Sequence, residues 1–183
     1  MPYYAKTYYS STNWESPSNH NNFGQPIADG YTLGYEEFNF IPEIKELKLL
    51  YIPCFSRNKP TTIDQIELFY DNPAEKGLYI YAKVERVSQI DAKEIEKIRK
   101  NLEEKNFPAK VEELIKNTET FPTQELKDLA VKAWKGNYNT NEIIAKRTEP
   151  RFIFNARYDK LTIYNKPILL ERNLTRASIL VRK

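Results

Sequence analysis

The stretch Leu78-Tyr-Ile-Tyr-Ala-Lys-Val-Glu-Arg-Val87, followed three residues later by Asp91-Ala-Lys-Glu-Ile-Glu-Lys-Ile98, contains the change of periodicity that decides the fold. In the first segment Leu78, Ile80, Ala82 and Val84 alternate with Tyr79, Tyr81, Lys83 and Glu85. That period of two predicts a strand with one buried face. In the second, Ile95, Ile98 and Leu102 recur at helical spacing behind Asp91, a residue suited to cap a helix N-terminus. A strand therefore gives way to a helix near residue 90.

Toward the C-terminus the helical pattern continues. The first helix ends near Asn106, and Pro108 fits the first turn of a second, with Val111, Leu114 and Ile115 apolar. Thr123 can cap a third helix carrying Leu126, Leu129, Ala130 and Ala133, with Gly136 as its stop. These short stripes predict core-facing amphipathic surfaces. Strands then return. In Arg151–Tyr158, Phe152, Phe154, Ala156 and Tyr158 share one face, and Arg151, Ile153, Asn155 and Arg157 the other. Further strands are expected over Lys166–Glu171 and Ile179–Val181. On the N-terminal side, Ala5–Ser10 predicts a short strand and Ser11–Gly34, crowded with Asn, Ser, Pro and Gly, a long loop. Glu46–Pro53 predicts a buried strand closed by Pro53. Strands, helices and strands in that order predict one α+β domain over residues 1–183, with a helical elaboration at about 91–146. Its first and last strands can pair into a closed or partly closed sheet.

Composition agrees with one globular domain: 183 residues, 40% apolar and 29% charged. The longest apolar run, Leu49–Phe55, is far short of the ~18 residues a membrane span needs, and residues 1–10 lack a secretory apolar stretch. A single cysteine, Cys54, allows no internal disulfide, which suits a cytoplasmic protein. The net charge of +3 is unevenly spread. Residues 146–183 carry ten Lys/Arg against three Asp/Glu, a net +7, while residues 1–90 carry eight against eleven. Such a segment is either a solvated basic tail or the footprint of a polyanionic partner. Thirteen tyrosines, able to stack on bases while keeping a hydroxyl in water, favour the second.

Catalytic patterns are missing. The sequence has no Gly-x-Ser-x-Gly elbow and no phosphate loop ending in Gly-Lys-Ser/Thr among its five glycines. Cys54 sits in an apolar run suited to a core, and His20 has no triad partners nearby in sequence. One histidine and one cysteine cannot assemble an ordinary zinc site. The pairs Glu36-Glu37, Glu103-Glu104 and Glu112-Glu113 mostly fall on helix surfaces. The expectation is a protein that is no enzyme, with no metal and no cofactor.

The segment after the first strand has the skeleton Asn13-Trp14-Glu15, His20, Phe23-Gly24. It resembles the signature of the EVE and YTH branch of the PUA-like superfamily, where Asn-Trp-Glu is followed at this spacing by His and then Trp-Gly. Glu46-Leu-Lys-Leu-Leu-Tyr-Ile52, Gly77–Val87, Glu149-Pro-Arg-Phe-Ile-Phe154 and Lys166-Pro-Ile-Leu-Leu-Glu171 are similar to later blocks of that family, in the same order. The sequence departs from it with Phe23 for Trp, Ser10 for Asn, and a larger helical insertion between Asp91 and Lys146.

The resemblance implies a PUA-like, partly closed β-barrel flanked by helices. It also implies a pocket that accepts a base swung out of its strand, often a methylated one, between aromatic walls. Phe23 matches the family's cage Trp, with Ser10 and Asn13 beside it, and Trp134 and Tyr138 are candidates for a second wall. Phe23 could instead plug the core beneath the loop, and Trp14 could pack the loop onto the barrel. Lys6, Arg147, Arg151 and Arg157 would follow the nucleic-acid backbone. Domains of this kind also occur at the N-terminus of archaeal McrB-type restriction motors. The chain ends at Val181-Arg-Lys183, straight after its last strand, which suits a targeting domain followed by an AAA+ GTPase and served by an McrC-type nuclease subunit. DNA, possibly methylated, is then the expected partner. An RNA-binding PUA-like reader, a small RNA-processing enzyme and a scaffold are the alternatives.

Overall fold

Strands, a helical block and strands follow one another in a computed structural model that describes residues 3–7, 10, 12, 15, 25–28, 31–33, 38–52, 62–72, 74–139, 154–170 and 181–182. The elements are β1 (Tyr3–Lys6), β2 (Gln25–Ala28), β3 (Tyr31–Leu33), α1 (Pro42–Glu46), β4 (Leu49–Leu50), β5 (Thr62–Asn72) and β6 (Gly77–Gln89). They continue with α2 (Ala92–Glu104), α3 (Phe107–Asn117), α4 (Gln124–Asn139), β7 (Ala156–Arg157), β8 (Lys160–Leu169) and β9 (Val181–Arg182). The α+β class is as expected. The chain divides into two compact units, each built from separated segments.

The first unit comprises Met1–Tyr9, Lys48–Gln89 and Asn155–Lys183 and contains one mixed, mostly open sheet in the order β4-β7-β6-β5-β1-β9, with β8 also on β6. Its centre is the long β5–β6 hairpin, from Thr62↔Ser88 to Asn72↔Gly77. At the turn, Asn72 Oδ1 accepts from the amides of Ala74 (3.0 Å) and Glu75 (3.4 Å), an Asx-type turn. β7 and β8 follow the other edge of β6 in one register, from Gln89↔Ala156 to Ala82↔Ile163. β1 lies parallel to β5 and antiparallel to β9, so the first and last strands do pair.

Several sequence expectations change here. The alternation of Leu78–Val87 breaks at Tyr81. Leu68 pairs with Ala82 and Phe69 with Ile80, which leaves Tyr81 as an extra residue on β6. This bulge turns Tyr81 inward, where it is 2% exposed. Its hydroxyl lies 3.0 Å from that of Thr7, which also reaches the Phe69 carbonyl at 3.2 Å. The expected strand over Glu46–Pro53 shrinks to Leu49–Leu50. Pro42 starts α1 just upstream, and Lys48 takes a left-handed φ of 55° at its exit. Beyond the short strand the Asn155 side chain replaces a ladder partner. It accepts from the Ile52 amide and donates to the Ile52 carbonyl, both at 2.8 Å. The first strand is Tyr3–Lys6 rather than Ala5–Ser10, and the strand expected from Lys166 already begins at Lys160. β5 carries no clean alternation and was not expected; its Leu68, Phe69 and Tyr70 are all buried.

The second unit comprises Ser10–Leu47 and Ile90–Phe154. The expected elaboration at about 91–146 is thus one part of it, and Ser10–Leu47 the other. Asp91 caps α2 by accepting from the Lys93 amide at 2.9 Å, and Thr123 Oγ1 accepts from Leu126 at 3.2 Å ahead of α4. Asn106 turns the chain in a left-handed conformation so that α3 can start with Pro108 in its first turn. Gly136 does not stop α4, which continues to Asn139. A mid-helix glycine costs about 1 kcal/mol relative to alanine. The buried face of Ala130, Val131 and Trp134 offsets that. The segment expected as one long loop holds the β2–β3 hairpin. Ion pairs join α1 to the α2–α3 corner: Glu46 with Lys105 at 2.7 Å, and Glu43 with Lys110.

Candidate nucleic-acid interface

The root of the signature loop is built from short polar side chains. Ser10 is buried, and its Oγ accepts from the Thr12 amide (3.2 Å) and lies 3.0 Å from Thr12 Oγ1. The Glu15 amide donates to the Thr12 carbonyl at 3.2 Å, and Lys45 of α1 donates to the Glu15 carboxylate at 3.3 Å. Hydroxyl-to-backbone bonds of this type hold a turn without regular structure. Ser10, Thr12 and Glu15 therefore tie the beginning of the loop within the second unit. Asn13, Trp14, His20, Phe23 and Gly24 lie outside the described residues.

The two candidates for a second aromatic wall differ. Trp134 is fully buried in the core of the second unit, 5.2 Å from the Phe38 ring and 5.9 Å from that of Phe107. With neighbours on these sides, its indole presents no open face on which a base could stack, so its place is that of a core plug. Tyr138 lies in the last turn of α4, and its side chain is outside what is described. The sequence places Trp134 and Tyr138 in a turn before the basic strands, whereas α4 runs on through both to Asn139.

Of the four expected backbone-contacting cations, Arg147 and Arg151 lie outside the described residues. Lys6, on β1, is 3.8 Å from Asp71. Arg157, on β7, is half-buried and pairs with Leu49 on one side and Ser88 on the other. From Lys6↔Phe69 and Phe69↔Ile80 to Ser88↔Arg157 the path crosses three strand steps and eight residues of β6. At the usual sheet spacings that is roughly 14 Å across and 26 Å along. The two cations thus stand at separate points of one sheet, too far apart to hold a single phosphate.

Around them the sheet surface has mixed charge. Lys83 and Lys160 both lie 3.5 Å from the Glu85 carboxylate, and Arg86 Nε is 2.8 Å from Asp159. Burial, then the charges of Glu67 and Glu85, push the Tyr164 hydroxyl above its ordinary value. Burial alone raises Tyr158 to about 12, so both stay neutral donors at physiological pH. Tyr79 is raised chiefly by its hydrogen bond to Glu75 and stacks at 6.0 Å on Tyr70.

Sequence reasoning missed two features. The Lys45–Glu15 tie joins residues thirty positions apart and has no local signal. On β8, Ile163, Ile168 and Leu169 are the exposed large apolar residues among those described. The run Ile168-Leu-Leu170 beside Pro167, without alternation, was the available clue. No helix among the described residues is long and apolar enough to cross a membrane. No known family model matches this chain, and neither curated proteins nor solved structures provide a match.

Proposed function

We propose that the chain is a PUA-like nucleic-acid-binding specificity domain. In this function it recognises a flipped, modified base and brings a modification-dependent, McrBC-type restriction complex to DNA. One observation carries most of the weight. The segment of net charge +7 is not only a tail: β7, β8 and β9 all belong to the sheet. β9 lies against β1, the strand that leads into the Asn13–Gly24 signature. Phosphate contacts from a basic segment of this size are what a reader needs to offset the cost of extracting a base. The pairing of first and last strands is in keeping with a PUA-like strand order, in a sheet whose path ends at β4 and β9. Base selection is assigned to Phe23 with Ser10 and Asn13, and backbone contact to Arg147, Arg151 and Arg157.

Equilibrium binding to DNA and RNA oligonucleotides of one sequence, with and without base methylation, tests this function. Tighter binding to methylated DNA is expected. Preference for RNA would make the chain an RNA reader, and no binding to any oligonucleotide at low salt would refute the proposal.

A further inference from the structure

β8 interrupts its pairing with β6 by a long bulge and then resumes it at Ile168 and Leu169. Ile163 pairs with Ala82 and Ile168 with Ile80, so Tyr164–Pro167 bulge out against Tyr81 alone. The bulge is anchored at both ends. Tyr164 and Leu170 pack on the buried cluster of Tyr4, Phe69 and Ile80, and the Leu170 amide donates to the Leu78 carbonyl at 2.8 Å. Between these anchors every residue from Asn165 to Leu169 is exposed, with Ile168 at 50% and Leu169 at 54%. Pro167 has no amide to leave unbonded at such a place. Gly77 adds to the fixation: a Cβ there would come within 3.0 Å of Leu169 Cδ1, so its absence lets Leu169 settle over the hairpin.

Contiguous exposed apolar residues rimmed by polar ones, as Pro167, Ile168 and Leu169 are here, mark an interaction surface. Its charge indicates which kind of partner. Lys166 adjoins the ridge on a strand that carries no carboxylate, while Lys160 at the strand's start pairs with Glu85; with a net +7 over residues 146–183, the charge favours a polyanionic partner. Exposed Pro, Ile and Leu flanked by lysine are the side chains that proteins insert between base steps to unstack a duplex. We infer that Pro167-Ile168-Leu169 is an apolar wedge that enters the stack of a bound duplex, with Lys166 against the adjoining phosphate. This rests on the proposed nucleic-acid function and deepens it: a reader of flipped bases gains a device that opens the duplex.

A duplex carrying 2-aminopurine, and the same strand alone, provide the test with the full chain. The double variant Ile168→Ser/Leu169→Ser, neutral so that charge is unchanged, should weaken duplex binding about ten- to a hundredfold. It should also abolish the 2-aminopurine fluorescence rise, while single-strand affinity stays within about twofold, since an unpaired strand needs no opening. Ile163→Ser, at 47% exposure on the regular part of β8, is the control and should change neither affinity. Unaltered duplex binding in the double variant, or equal losses for both forms, overturns the wedge and leaves the binding function standing. Wild-type protein that binds neither form refutes the function itself and the wedge with it. A wild-type dimer in sedimentation that the double variant abolishes would assign the ridge to a second copy and overturn the wedge as well.

Discussion

Arg86 donates from Nε to Asp159 Oδ2 at 2.8 Å while its own backbone is held at a φ of 51° in the middle of β6. Left-handed backbone costs a non-glycine residue about 1–2 kcal/mol. Both members of the pair are more than half exposed, so their attraction offsets only part of that. Arg86→Gly is therefore expected to be more stable than Arg86→Ala by about 1 kcal/mol, because both lose the ion pair and only glycine relieves the strain. Urea unfolding of the two variants checks this, and equal midpoints would show that β6 re-forms with residue 86 in an extended conformation.

For the basic segment, replacing Arg151 and Arg157 together with Ala should weaken binding to all nucleic acids about equally and flatten its salt dependence. Each lost phosphate contact removes a slope of roughly 0.9 on duplex DNA or 0.7 on a single strand. Affinities at four or five salt concentrations are sufficient. An unchanged slope would move the backbone track away from these arginines.

Phe23 and Trp134 should separate cleanly. Phe23→Ala is expected to reduce affinity for the preferred modified oligonucleotide by about five- to 150-fold, the equivalent of ~1–3 kcal/mol of stacking, with little change for unmodified strands. Phe23→Trp should retain binding. Trp134→Ala, which empties a site between Phe38 and Phe107, should instead cost about 3–5 kcal/mol of stability and affect every ligand alike. Melting temperature measured beside both affinities distinguishes the two. A stable Phe23→Ala protein with intact discrimination would remove it from the pocket.

The pH dependence of stability should show Glu43. Burial raises its pKa, but the hydrogen bond from Lys110 and the charges of Lys110 and Lys105 prevail and hold it below its ordinary 4.5. A carboxyl depressed on folding stabilises the protein at pH values above its unfolded pKa. That contribution disappears as pH falls through the folded value. Glu43→Gln should therefore reduce stability near neutral pH and flatten its loss between about pH 5 and 3. Parallel acid-unfolding curves for wild type and variant would contradict this.

Elements whose signals are local were legible in the sequence. Asp91, Pro108 and Thr123 mark helix starts because each satisfies or spares an orphan amide within its own turn. Gly77–Gln89 was legible because alternation survives wherever one face is buried. Features set by distant partners were not. Tyr81 is buried because a bulge opposite Leu68 and Phe69 reverses its side, and Leu49–Leu50 is short because an asparagine 103 residues from Ile52 takes over the ladder. In the candidate site, the signature skeleton is a spacing in the sequence, and Asn13, Trp14, His20, Phe23 and Gly24 lie outside the described residues. Trp134 reads from sequence as part of a turn before the basic strands, because Gly136 looks like a helix stop; α4 instead runs on to Asn139 and the ring is buried.

The Tyr3↔Arg182 pairing places a demand on synthesis. β1 leaves the ribosome long before β9, so one of its edges gains its partner only after the chain has been made through residue 182. Until then β1 offers an unpaired edge at Tyr3 and Tyr4 beside a sheet that is otherwise able to form. Closure over so long a sequence separation is slow, and exposed edges of this kind recruit neighbouring chains. Yield on expression should accordingly depend on temperature and translation rate more than the folded stability suggests.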